Sequence, residues 1–214
     1  MASGRAGWLL ALAVWAGPGW GAGAGLRLGL LVEAPEGTPA EVLEAAEAEV
    51  RRTVRLPGVG VVWQALGPGS AGHSYERIVV VRLKGECRAG GLGQEEERGP
   101  LGITHIADGA ILPFVEADCG RVRRAAARVR RQPFRLGDGE LGAALGRVIA
   151  HEIYHVLSGT SEHDGMGLAK ESLTAAELFL GRIEFTERAL ARMGEWMPAA
   201  PVRAALELDE RAQR

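Results

Sequence analysis

The sequence has almost no excess of charge of either sign. Its 25 Lys and Arg stand against 27 Asp and Glu, a net charge of −2. No global field therefore draws the chain to nucleic acid or to an anionic membrane. Only two cysteines are present. Neither lies in a Cys-x-x-Cys pair, which argues against a thiolate metal site. The apolar run at Trp8–Ala16 is about ten residues against the roughly 20 that a membrane span needs, so no stable span is expected. Aromatic residues make up 5%. There is no internal repeat and no linker long enough to separate two domains. With 214 residues and 47% hydrophobic content, the chain can bury one real core.

The N-terminal run has a defined context. Arg5 precedes it, Pro18, Gly19 and Gly21 break it, and Ala22-Gly23-Ala24 follows. This is the order of a charged region, an apolar region and a small-residue cleavage site. Residues 1–24 are expected to be a signal peptide and residues 25–214 a single exported domain, secreted or periplasmic. In an oxidising compartment an even cysteine count predicts one disulfide, Cys87 with Cys119.

Along the expected mature chain, Leu26–Glu33 reads as a strand. Thr38-Pro39 opens a helix that runs to about Thr53, with Thr38 as its cap. Val59–Leu66 and the β-branched Ile78–Leu83 are further strands, with a turn at 67–72 and an exposed loop at 87–100. Ile103–Ile106 and Ala110–Ala117 flank Asp108-Gly109 and read as a tight hairpin. Residues 121–131 hold six arginines at helical spacing around an apolar face. A basic patch for an anionic partner is one reading, and a solvated helix face is the preferred one. A helix opened by Asp138 continues to about Leu157 and ends at Ser158-Gly159. Ser172 or Thr174 caps a C-terminal helix, with Thr174-x-x-Glu177 as a capping box, and helical pattern continues past Glu184. The expected fold class is α/β (α+β). A mixed sheet with an antiparallel edge strand is packed by the first helix and by the helix at 138–157.

That second helix carries His151-Glu152-Ile153-Tyr154-His155. Residues four apart project from one helix face, so both imidazoles can reach one tetrahedral Zn²⁺. Glu152 is turned by about 100° from His151. From there it can accept a proton from a zinc-activated water without ligating the metal. Tyr154 points away and should pack. A catalytic zinc needs a third protein ligand and an open position. His163 lies beyond Gly159, which can take positive φ and turn the chain back. Glu171 and Glu177 are the alternative third ligands, although Glu177 already has a capping role. His73 and His105 remain, and His105 reads as a half-exposed strand residue.

The segment HEIYHVLSGTSEH resembles the metzincin zinc signature, in which His-Glu-x-x-His is followed by x-x-Gly-x-x-His. Here Gly159 falls four residues after His155 and His163 eight after, so the turn is longer than in the family pattern. The resemblance implies His151, His155 and His163 as zinc ligands and Glu152 as general base. It also implies a zincin-like fold in which the edge strand Ile103–Ile106 pairs with an extended peptide. Asp164 is a candidate support for His163, and Met166 a candidate for the family's Met-turn. The reading is a secreted zinc metallopeptidase acting on peptides or proteins, with Zn²⁺ as cofactor and no nucleic acid partner. The alternative is an exported zinc-binding interaction or structural domain without hydrolytic activity. A third reading is a binding domain that uses the arginines of 121–131.

Overall fold

The structure, a computed structural model, describes residues 25–67, 74–90, 99–129, 134–195 and 202–203. The expected signal peptide, His73, the tip of the 87–100 loop, Arg130, Arg131 and most of the tail lie outside those residues.

The chain runs β1 (Leu26–Glu33), α1 (Ala40–Thr53), β2 (Val59–Ala65), β3 (Ser74–Tyr75), β4 (Arg77–Lys84), β5 (Gly102–Ala107) and β6 (Ala110–Asp118). It continues with α2 (Cys119–Ala125), α3 (Asp138–Ser158), α4 (Ala175–Phe179), α5 (Glu187–Gly194) and β7 (Val202–Arg203). Five strands form one sheet in the order β2-β1-β4-β6-β5. The β1–β2, β1–β4 and β4–β6 pairs are parallel, and β5 is an antiparallel edge strand against β6. Short β3 and β7 pair separately and antiparallel. The architecture is thus the expected mixed α/β sheet with an antiparallel edge, packed by helices.

Strand periodicity explains the core. Leu28, Leu30 and Val32 on β1, Val79, Val81 and Leu83 on β4, and Val115 and Ala117 on β6 are buried. Alternate residues share one sheet face. They meet Val42 and Val50 of α1 and Leu141, Leu145 and Ile149 of α3 in one cluster. The β5–β6 turn places both Asp108 (φ 51°) and Gly109 (φ 76°) in the left-handed region, as a two-residue type I′ hairpin requires. The disulfide Cys87–Cys119 joins the segment after β4 to the first residue of α2. Its loop of 32 residues corresponds to roughly 4 kcal/mol of restricted unfolded-state entropy.

Three local expectations change. Thr38 does not cap α1: its hydroxyl donates to the Pro35 carbonyl, and Pro39 occupies the N-cap position. The arginine-rich helix begins earlier, at Cys119, because the Asp118 carboxylate accepts from the Arg121 N–H, and it tightens into a 3-10 turn at Ala126–Arg128. The C-terminal helix does not run past Glu184. It stops at Phe179 with Gly181 just beyond, and the Glu184 carbonyl instead accepts from the Leu168 N–H. A separate helix restarts under the Thr186 cap.

One buried ion pair ties α1 to α3. Arg147 Nε donates to Glu49 Oε1 at 2.6 Å, with both side chains 9% exposed. The same guanidinium donates to the carbonyls of Glu177 and Leu178, at 2.8 and 2.7 Å. Arg147→Ala removes this link and leaves the Glu177 and Leu178 carbonyls without their donor, while Glu49 keeps its Arg52 partner. Unfolding free energy is expected to fall by about 1–3 kcal/mol, as denaturant titration would show.

Burial pushes the Glu49 carboxyl up, but hydrogen bonds from Arg52 and Arg147 outweigh it and hold the group below 4.5. A group depressed in the native state stabilises the fold above its unfolded pKa, and that contribution disappears as pH falls through the native value. Below about pH 4.5, stability should therefore fall less steeply in Glu49→Gln than in the wild-type chain. Parallel slopes in pH-dependent melting would contradict this.

Candidate metal centre

Helix α3 runs from the sheet to the site in one piece. Glu140 Oε2 accepts from the Gly137 N–H at its start, and Gly159 ends it in the left-handed conformation (φ 61°, ψ 27°). As the sequence suggested, that residue is where the chain turns. The turn returns His163 to the face that carries His151 and His155. One ring nitrogen from each of the three lies within 4.8 Å of the others. The His163 ring lies stacked 5.2 Å from that of His151 and edge-on 4.8 Å from that of His155.

Hydrogen bonds fix the first two rings. His151 Nδ1 lies 2.8 Å from the Leu168 carbonyl and His155 Nδ1 lies 2.8 Å from the Thr160 carbonyl. A carbonyl only accepts, so each Nδ1 carries the proton and each Nε2 carries a lone pair. The two Nε2 atoms face one another at 3.2 Å. Two lone pairs at that distance repel unless a cation lies between them. Ligands bonded at about 2.0–2.1 Å in tetrahedral geometry stand about 3.3–3.4 Å apart, so this pair has the spacing of two ligands of one small divalent ion, and His163, within 4.8 Å of both, could supply a third. Burial holds both histidines below the ordinary imidazole range, although each carbonyl contact acts in the opposite direction. A lowered pKa favours the neutral form, which is the form that can ligate a metal ion.

Glu152 is buried beside them. Burial raises its carboxyl pKa, while the Thr104 hydrogen bond and the nearby His155 and His163 pull it down. Thr104 Oγ1 on β5 donates to Glu152 Oε2 at 2.6 Å. Gly102, two residues earlier on the same strand face, makes this approach possible. A Cβ there would stand 2.6 Å from Glu152 Oε1 and 2.7 Å from Val148 Cγ1.

These groups line a cleft of 560 Å³. The edge strand β5 forms one wall and residues 170–175 the other, with Val148, Ile111 and Leu178 contributing apolar surface. Neither a protein-family model nor a curated protein matches the chain.

The other sequence candidates find different places. Glu177 is the capping-box partner of Thr174 and pairs with Lys170 at 2.6 Å. The Lys170 ammonium and the Thr174 amide pull its carboxyl down to about 2. Glu171 lines the cleft but is not grouped with the histidines. Asp164 accepts from the Thr186 hydroxyl at 3.1 Å and its backbone N–H bonds to the Ala169 carbonyl. It pins the loop that carries His163 onto the start of α5. Met166 is 71% exposed, so it lacks the buried position of a Met-turn, and solvent-facing loop geometry is the reason. His105 is half-exposed, 3.5 Å from Glu116. Tyr154 is buried and stacks on Phe185, as a packing role requires.

Sequence reasoning missed Gly102, Thr104 and the two carbonyl partners. Period-2 spacing put Gly102 and Thr104 on one face of the edge strand, which was the available signal. Nothing in the residue identities marks a backbone carbonyl as the acceptor for a ring N–H.

Zinc titration of the wild-type chain should reach one equivalent. His155→Ala and His163→Ala should each weaken binding by more than the about 10–100-fold that loss of a supporting partner costs. Glu171→Gln and Glu177→Gln should leave affinity unchanged. Unaltered binding in His163→Ala would remove that residue from the site.

Proposed function

We propose that the chain is an exported zinc metallopeptidase of metzincin type that hydrolyses peptide bonds in extended substrates. The observation that carries this reading is a buried carboxylate that is not itself grouped with the three histidines, yet lies beside them on the same cleft. A purely structural metal site has no need of such a group. Imidazole ligation suits zinc, and three protein ligands with an open position is the arrangement of catalytic sites.

His151, His155 and His163 would hold the ion. Bound there, zinc would supply Lewis-acid polarisation of the carbonyl and acidify the attacking water. Glu152 accepts the proton released as water adds to the scissile carbonyl carbon. When the C–N bond breaks, Glu152 returns that proton to the leaving amine. The new carboxyl and the freed amino group are the products. Among the described residues β5 is the edge strand of the sheet, paired only with β6, and it lines the cleft, so an extended peptide could add to it as a further strand.

Export is supported by the Cys87–Cys119 disulfide, which fits an oxidising compartment.

Glu152→Gln separates chemistry from metal binding. It should retain one zinc and its melting temperature while turnover of a peptide library falls by at least about a hundredfold, within the range for loss of a general base. Full activity in this variant would overturn the mechanism. A zinc-loaded wild-type chain that cleaves no peptide would favour the exported interaction domain instead.

A further inference from the structure

The edge strand does more than border the cleft. Thr104 and Gly102 share the face of β5 that meets α3, and both touch Glu152. Glu152 as a whole residue is 7% exposed, so few other partners can fix its orientation. Among the described residues, Thr104 supplies the one side-chain hydrogen bond to it, at 2.6 Å, and this is the shorter of two contacts of that hydroxyl, which also lies 3.2 Å from the Glu152 backbone carbonyl. The bond engages Oε2. Oε1 lies on the Gly102 side, where the missing side chain leaves it room.

We propose that Thr104 is a positioning residue for Glu152. Its hydroxyl holds one carboxylate oxygen so that the other is presented to the reacting water in a single orientation. The strand that would receive the substrate thereby also sets the angle of the general base. The inference rests on the peptidase reading, and it adds a residue that acts through Glu152 without touching the reacting atoms.

A hydrogen bond between a hydroxyl and an ionised carboxylate holds geometry as well as energy. Rate is sensitive to that geometry: a displacement of about 1 Å can cost about a hundredfold. Thr104→Val keeps the shape of the side chain and removes the donor. Thr104→Ser keeps the donor and removes a methyl group.

The test compares these two variants with the wild-type chain and with Glu152→Gln, each at full length. Zinc stoichiometry, melting temperature, kcat and KM are measured for all four. Crystal structures of metal-free wild type and Thr104→Val add a readout independent of turnover. For Thr104→Val the expected result is a kcat lower by about ten- to a hundredfold, with KM and zinc content unchanged. Thr104→Ser should restore kcat to within about threefold of wild type. The Glu152 carboxylate should occupy one orientation in the wild-type crystal and shift or divide in Thr104→Val.

Equal kcat in wild type and Thr104→Val, with Glu152→Gln inactive, would overturn the positioning role and leave the peptidase reading intact. Failure of Glu152→Gln to lose activity would overturn the peptidase reading itself. Should Thr104→Val lose zinc or unfold, the crystal comparison is replaced by Thr104→Ser alone. An undisturbed Glu152 orientation there, together with a kcat loss as large as that of Glu152→Gln, would also overturn the proposal.

Discussion

Gly142 and Gly146 let α3 settle onto α1 until side chains would be in the way. A Cβ at Gly142 would stand 2.3 Å from the Val42 carbonyl oxygen, and one at Gly146 would stand 2.7 Å from that of Ala46. Gly102 allows the same close approach on the other side, where β5 meets the helix at Val148 and Glu152. Helix α3 is therefore wedged between a helix and the edge strand, and the Glu49–Arg147 pair locks the first of these contacts. Such packing leaves little freedom for the rotation of α3, because close-packed interiors resist displacement. The directions of His151, Glu152 and His155 follow from that one constraint.

The third histidine depends on a different device. After Gly159 the chain has no regular structure to carry it back, and a set of backbone bonds does that work. Thr160 and Leu168 each give a carbonyl to an α3 histidine. Leu168 is itself bonded through its N–H to the Glu184 carbonyl, and Asp164 is bonded to Thr186. The loop that delivers His163 and the rings it joins are thus parts of one hydrogen-bonded unit. The non-helical stretch at 180–186 belongs to the same unit, since the Glu184 carbonyl is bonded to the Leu168 N–H instead of to a helical partner.

Much of this was legible in the sequence, for identifiable reasons. The His-Glu-x-x-His spacing reports helical geometry directly. Gly159 signals a reversal, because a left-handed residue there needs no Cβ. Asp108-Gly109 marks its turn, and the apolar run at 26–33 and the β-branched run at 78–83 mark strands. The features that escaped depend on tertiary contact. Gly102 reads as an ordinary loop-edge glycine until the helix beside it is known. Thr104 has no motif of its own. The 175–194 segment keeps helical periodicity across a break that is imposed from outside by the Leu168–Glu184 bond. Met166 follows His163 by three residues in the chain, but it is 71% exposed.

The account rests on three imidazoles converging on one ion. Its most direct test is anomalous diffraction at the zinc absorption edge, on crystals of the full-length chain grown with one equivalent of zinc. The account predicts a single strong peak about 2.0–2.1 Å from a ring nitrogen of each of His151, His155 and His163, with Glu152 outside bonding distance. A peak ligated by Glu152, or none at the cluster in a well-ordered crystal, would contradict it.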